Sequence, residues 1–178
     1  MNDNNNKSAE LRNEQWRAQL RAGHTAKERT AMPRVAMPQL APDYRITCNE
    51  EVNQGITEAQ AVAEATRCLD CPNPQCVTGC PVGIDIPRFI KNIERGHFAD
   101  AAAAIGETSS LPAVCGRVCP QEKQCESKCI HTKMHHPAVA IGYLERFAAD
   151  WQRSHADGQG APEKAAPLGI KVAAIGSG

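Results

Sequence analysis

The sequence predicts an all-α protein whose short helices are held together by metal ligation rather than by a large apolar core. Three observations predict it. Capped or periodic helical segments recur along the chain, and the one strand-like stretch comes in its last eight residues. Val, Ile, Leu and Phe supply only about 17 % of the 178 residues, low for a self-supporting core. Eight of the nine cysteines lie between Cys68 and Cys129, in two groups of four. A chain poor in large apolar side chains needs staples, and metal–thiolate bonds supply folding energy because their ligand set is not assembled in the unfolded chain.

Charge and termini narrow the functional classes. Twenty Lys and Arg balance twenty Asp and Glu, so neither nucleic acid nor an anionic membrane is expected as a partner. The N-terminus, Met1-Asn-Asp-Asn-Asn-Asn, lacks the basic and apolar regions of a secretory signal, and no apolar run reaches membrane-spanning length. A cytoplasmic location is therefore expected. Thiols stay reduced there, so nine cysteines argue for metal binding over a disulfide framework.

In chain order, Lys7 to Ala22 favours a helix ending near Gly23, with Leu11, Trp16 and Leu20 as a thin apolar stripe. That pattern suits a surface helix with no chemistry. Thr30 to Asp43, with Pro33, Pro38 and Pro42, reads as an extended segment. Cys48 stands alone and is expected to be an isolated buried thiol. Thr57 and Gln60 form a capping box, so a helix should follow and deliver Cys68 and Cys71 at its C-terminal end. Pro72 and Pro74 then force a loop through Cys80. Ile86 to Arg95 has apolar residues at helical spacing and stops at Gly96, and Phe98 to Ile105 is alanine-rich helix. A turn from Ala113 to Val118 places Cys115 and Cys119 on one face, and Glu122 to Ile130 is expected to do the same for Cys125 and Cys129. Pro137 suits the first position of a helix carrying Ala140, Leu144, Phe147 and Trp151. The chain thus divides into residues 1–45 (helix and Pro-rich segment), 46–153 (cysteine-rich helical domain), 154–168 (linker) and 169–178. In the last piece Lys171-Val-Ala-Ala-Ile runs into Gly176-Ser-Gly178, the way a dinucleotide-binding βαβ unit begins. The chain is expected to be truncated there.

The cysteine groups read Cys68-Leu-Asp-Cys71-Pro-Asn-Pro-Gln-Cys76-Val-Thr-Gly-Cys80-Pro81 and Cys115-Gly-Arg-Val-Cys119-Pro120-Gln-Glu-Lys-Gln-Cys125-Glu-Ser-Lys-Cys129. Thiolates serve both zinc and iron–sulfur clusters. Zinc ribbons pair two Cys-x2-Cys knuckles across a longer gap, whereas only one such knuckle exists here. A compact run of four ending in Cys-Pro is closer to the two-cluster ferredoxin pattern, in which the last cysteine of a run ligates the other cluster, although the gaps differ. Iron–sulfur is favoured over zinc.

Four phrases carry a resemblance: Arg67-Cys-Leu-Asp-Cys-Pro-Asn-Pro-Gln-Cys76, Cys80-Pro-Val-Gly83, Leu111-Pro-Ala-Val-Cys-Gly-Arg-Val-Cys-Pro-Gln-Glu122, and Ile141-Gly-Tyr-Leu-Glu-Arg-Phe147. Residues 47–151 resemble the alpha-helical ferredoxin-like, N-terminal iron–sulfur domain of glutamate synthase small (β) subunits. The same domain is shared with dihydropyrimidine dehydrogenase and the NADH-dependent ferredoxin:NADP oxidoreductase large subunit. The resemblance implies two 4Fe-4S clusters with crossed ligands. Cys68, Cys71, Cys76 and Cys129 would hold one; Cys80, Cys119 and Cys125 would hold the other. Its fourth ligand is left open, with Cys115 first, Glu145 second and Glu122 third. The resemblance further implies an FAD and NAD(P)H domain starting near Lys171, with Gly176 and Gly178 on the cofactor and no substrate site in the present residues. The expected function is electron transfer from NADPH and FAD through the clusters to a large flavin-containing subunit or other acceptor. A zinc-stapled interaction domain and an inactive fragment are the alternatives. His131, His135 and His136 are expected to be solvated, and Arg117, Lys123 and Lys128 either offset cluster charge or face water.

Overall fold

Thr57 caps the first helix of the domain as expected: its hydroxyl accepts from the Gln60 N–H, and the Gln60 side chain accepts from the Thr57 N–H. The structure, a computed structural model, describes residues 11–155 and positions 166, 169, 170, 173, 175 and 176. Its helices in chain order are α1 (Gln15–Gly23), α2 (Ala26–Ala31), α3 (Pro42–Arg45), α4 (Glu58–Thr66), α5 (Gln75–Thr78), α6 (Ile86–Glu94), α7 (Phe98–Gly106), α8 (Pro112–Val118), α9 (Ile130–Lys133) and α10 (Ile141–Ser154). Two 3-10 turns, Gln121–Lys123 and Glu126–Lys128, join α8 to α9. Among the described residues no strand occurs, only an isolated antiparallel bridge between Gln39 and Asn53. The strand expected from Lys171, with Gly178 at its end, falls largely outside the described residues.

The apolar core lies among four of these helices. Ile86, Phe89, Ile90 and Ile93 of α6 meet Ala101, Ala104 and Ile105 of α7, Ala61 and Ala65 of α4, and Leu144, Phe147 and Ala148 of α10. Phe98 packs edge-on to both Phe147 and Trp151, at 5.0 and 5.6 Å between centroids. Cys125 and Cys129 belong to the same buried cluster, and Cys68, Cys76 and Cys80 pack against it.

Several expectations are corrected. The first helix is interrupted by a turn at residues 12–14 and resumes as α1, which is no inert surface helix: Arg17 is fully buried. The segment from Thr30 is preceded by α2, which carries its own capping box of Thr25 and Glu28, and Pro42 opens α3. Between them the chain is extended and crosses the helices, donating from the Val35 N–H to Glu64 and from Arg34 to the Ala138 carbonyl. Cys48 is half-exposed in the turn after α3 rather than buried. No helix spans 122–130, because the 3-10 turns there leave Cys129 extended, at φ −63° and ψ 137°. Pro137 does not start α10. Arg67 holds the carbonyls of Pro137 and Ala138, and Glu64 accepts from the Ala140 N–H, so residues 137–140 stay extended and the helix begins at Ile141.

Candidate metal centre

The first group of cysteines is arranged by a helix end and two close backbone contacts. α4 stops at Thr66, ahead of Cys68, and Asp70 takes φ +51°, which turns the chain back so that Cys68 and Cys71 face one cavity. Cys76 lies on α5, the one-turn helix after Pro74, and Cys80 lies two residues past its end. Gly79 is where the two cysteine runs touch: a Cβ there would stand 2.7 Å from the Gln124 carbonyl oxygen and 2.9 Å from the Cys125 Cα. That contact brings the second run beneath the first.

Cys68, Cys71, Cys76 and Cys129 line one cavity of about 270 Å3, with Ile86, Ile90, Val139 and Ile141 as its apolar wall. Cys129 therefore leaves its own run and joins the first three cysteines. Burial pushes the Cys68 thiol up to about 12, partly opposed by the Lys91 ammonium, and drives Cys76 well above its ordinary value, with Cys68, Cys129 and Cys71 adding repulsion. Cys71 is raised by burial and by Cys129. The second group contains Cys80, Cys115, Cys119, Cys125 and Glu145. Cys119 is raised by burial and by its neighbour Cys115, with which it shares a hydrogen bond, and Glu145 and Cys80 push the same way. Burial lifts Cys125 to about 12, helped by Glu126, Cys80 and Glu145. Cys125 also repels Cys76, so the two groups are neighbours.

The donor set fits cluster binding. All nine cysteines are free thiols. In Cys68, Cys71, Cys76, Cys119 and Cys125 deprotonation is disfavoured, an effect that a bound cation reverses because it holds a coordinating thiol as thiolate. Glu145 is 6 % exposed, its Oε1 has no hydrogen-bond partner, and burial raises its carboxyl to about 7. A buried carboxyl without a partner, aimed among thiols, is a donor awaiting a cation. Among the described residues no three Cys, His, Asp or Glu side chains lie close enough to hold a single metal ion. Glu122 is exposed and shares with Cys119 a separate polar pocket, lined also by Arg34, Arg117 and Arg146.

Several surrounding residues escape a reading of the sequence. His131 is fully buried, not solvated; its Nε2–H donates to the Arg67 carbonyl at 3.1 Å while Nδ1 has no partner. His135 and His136 are exposed as expected. Arg117 pairs with Glu51 and Asp150, and Lys128 reaches the Thr78 hydroxyl at 3.5 Å. The buried cations beside the first cysteine set are instead Lys91, Arg17 and Arg29, on three different helices. Only a basic residue inside an apolar helical stripe, as Lys91 is between Ile90 and Ile93, hinted at this.

Among the described residues no helix is long and apolar enough to cross a membrane. The family model described as dihydropyrimidine dehydrogenase domain II, 4Fe-4S cluster, matches residues 45–157. The glutamate synthase (NADPH) small chain of Escherichia coli is 40 % identical over 134 residues, covering 72 % of this chain and 27 % of the relative. That of Azospirillum brasilense is 34 % identical over 133 residues, covering 72 % and 26 %. The NAD-dependent dihydropyrimidine dehydrogenase subunit PreT of Escherichia coli is 39 % identical over 104 residues, covering 58 % and 25 %. The chain spans about a quarter of the length of these relatives. With eight thiols gathered in two neighbouring groups and this match over more than half its length, the chain belongs to the family of 4Fe-4S cluster domains named for domain II of dihydropyrimidine dehydrogenase.

Proposed function

We propose that this chain is the electron-transfer module of a longer NADPH-dependent flavoprotein oxidoreductase of the glutamate synthase small-subunit kind, carrying two 4Fe-4S clusters. Cys68, Cys71, Cys76 and Cys129 hold one. Cys80, Cys119 and Cys125 hold the other with Cys115, and Glu145 is the oxygen alternative at the same site. When bound, such clusters accept and release one electron at a time, which is the chemistry a flavin needs to pass a hydride's two electrons singly to an acceptor. The protein's own residues fix the positions: Asp70 turns the Cys68–Cys71 loop, Gly79 lets the two runs meet, and Ile86, Ile90, Val139 and Ile141 give the first set an apolar wall. An FAD and NAD(P)H-binding region after residue 170, using Gly176 and Gly178, and a large flavin-containing partner subunit complete the reading. The observation that carries it is Cys129 sharing one cavity with Cys68, Cys71 and Cys76.

Anaerobic preparation tests it. About eight irons and eight sulfides per chain are expected, the content of two such clusters. Cys129→Ser should remove the same paramagnetic signal as Cys68→Ser, and Cys80→Ser the same one as Cys119→Ser. Sorting of the Cys129 variant with its sequence neighbour Cys125 would overturn the crossed assignment, and zinc in place of iron would overturn the function.

A further inference from the structure

Two buried ion-pair groups on the Cys68–Cys71 loop carry more positive than negative charge. Asp70, fully buried, pairs with both Arg17 and Arg21, the latter at 2.6 Å, and its carbonyl accepts from Arg12 at 2.6 Å. Glu94, 5 % exposed, pairs with both Lys91 and Arg29, the latter at 2.8 Å. Lys91 Nζ also donates to the Cys68 carbonyl at 2.6 Å. Among the described residues each carboxylate therefore serves two cations, and one positive charge is left over at each. Arg17 Nη1 is buried with no partner. A surplus of one sign held out of water is costly unless a compensating charge lies opposite. On the reading above, that charge is available: a cluster with four thiolates is an anion, and reduction makes it more negative. Around the second cysteine set the cations are matched instead. Arg34 pairs with Glu126 at 2.8 Å, Arg117 and Arg146 pair with Glu51 and Asp150, and Glu145 has an unpartnered oxygen.

Three of these cations precede residue 45, where the family match begins. We infer that the N-terminal segment Gln15–Ala31 is a working part of the first cluster site: Arg17, Arg21 and Arg29, with Lys91, supply the positive field that favours an added electron on the cluster held by Cys68, Cys71, Cys76 and Cys129, and act less strongly on its neighbour. The inference rests on the two-cluster reading. These arginines act through the field, as positioning residues for charge; Arg17, Arg29 and Lys91 are buried, so their field is less screened than that of surface charges.

The sharing of carboxylates makes the test clean. Arg17→Gln leaves Arg21 on Asp70, and Arg29→Gln leaves Lys91 on Glu94, so neither strands a buried carboxylate. The measurement is a redox titration of the anaerobically prepared chain followed by electron paramagnetic resonance. Each glutamine variant should move one of the two one-electron waves to more negative potential by at least a tenfold change in its reduction equilibrium, about 59 mV. The other wave should move by less, and Arg17→Lys and Arg29→Lys should restore the first. Unmoved waves, or two waves moving equally, would overturn the inference while leaving two clusters in the protein. A glutamine variant that loses half its iron where the lysine variant keeps it also supports the charge argument. Equal loss in both would show that arginine shape, not charge, is required. A parent chain without iron overturns the reading beneath, and is seen before any variant is made.

Discussion

Glu145 carries a conflict that no side chain around it resolves. It sits on the buried face of α10, one oxygen lacks a partner, and burial raises its carboxyl to about 7 from an ordinary 4.5. A carboxyl whose folded value lies above its unfolded one takes up a proton on folding between the two. Stability is therefore highest below about pH 4.5 and falls as pH rises through about 7. In the metal-free chain this opposes folding at pH 8 by on the order of 3 kcal/mol. Glu145→Gln should raise the denaturant midpoint of the metal-free chain at pH 8 and leave it nearly unchanged at pH 4.5; equal effects at both would show that the carboxyl is already solvated. In the iron-loaded chain the same substitution separates its two possible roles. An altered spectrum of one cluster marks Glu145 as the oxygen ligand, and an unaltered one leaves Cys115 in that place.

At the scale of elements, the cysteine loops are positioned by polar tethers more than by apolar contact. Glu64 and Arg67, both fully buried on and just after α4, bind one another at 2.5 Å. Between them they hold the Val35 and Ala140 N–H groups and the Met32, Pro137 and Ala138 carbonyls. One pair thus fixes the extended N-terminal segment, the residue before Cys68 and the entry to α10. Glu64→Ala should cost about 3–5 kcal/mol, because it leaves a buried guanidinium without its counter-charge; a loss below 1 kcal/mol in chemical denaturation would show that water replaces the carboxylate. Gly116 is the second such device. A Cβ there would lie 2.6 Å from the Arg146 backbone nitrogen, so α8 packs directly on α10 and brings Cys115 and Cys119 beside Glu145. Gly116→Ala should destabilise the chain by about 1–3 kcal/mol and reduce occupancy of the second cysteine set, read as iron per chain. What the sequence revealed at this scale was local: the Thr57 capping box, the α6 stripe and the Gly96 stop all lie within a few residues of their signals. The crossing of Cys129 to the first cysteines rested on family resemblance, since spacing alone places it with Cys125. The tethers were not legible at all. Arg17 and Asp70 are 53 residues apart and Arg67 and Ala138 are 71 apart, and nothing in the local pattern of either end marks the partner. Pro137 misled because a preference for a helix start was outweighed by three hydrogen bonds from α4 and its end.

Across the whole molecule, the low content of large apolar residues turns out to be unevenly spent. Most of the large buried apolar side chains, Ile86, Phe89, Ile90, Ile93, Ile105, Leu144 and Phe147 among them, belong to α6, α7 and α10. The cysteine-bearing stretches have one-turn helices, 3-10 turns and exposed Leu111, Val114 and Val118. The two halves should respond differently to loss of iron. Helices joined by apolar contact keep their hydrogen bonds without it, whereas loops pinned by thiolate ligation lose the constraint that offsets their conformational entropy. Chelation should therefore abolish amide-exchange protection at residues 68–80 and 111–133 while α6, α7 and the buried face of α10 remain protected, with a partial fall in helical signal. The N-terminal segment should follow the loops, since its buried arginines then face a surplus of positive charge with no anion beside them. Protection that survives unchanged in both halves would mean that the packed helices alone hold the cysteines in place. Uniform collapse would mean that the apolar core of α6, α7 and α10 is too small to stand without the metal. The graded result is the one required by a site whose ligands sit on loops and short turns packed against a small helical core.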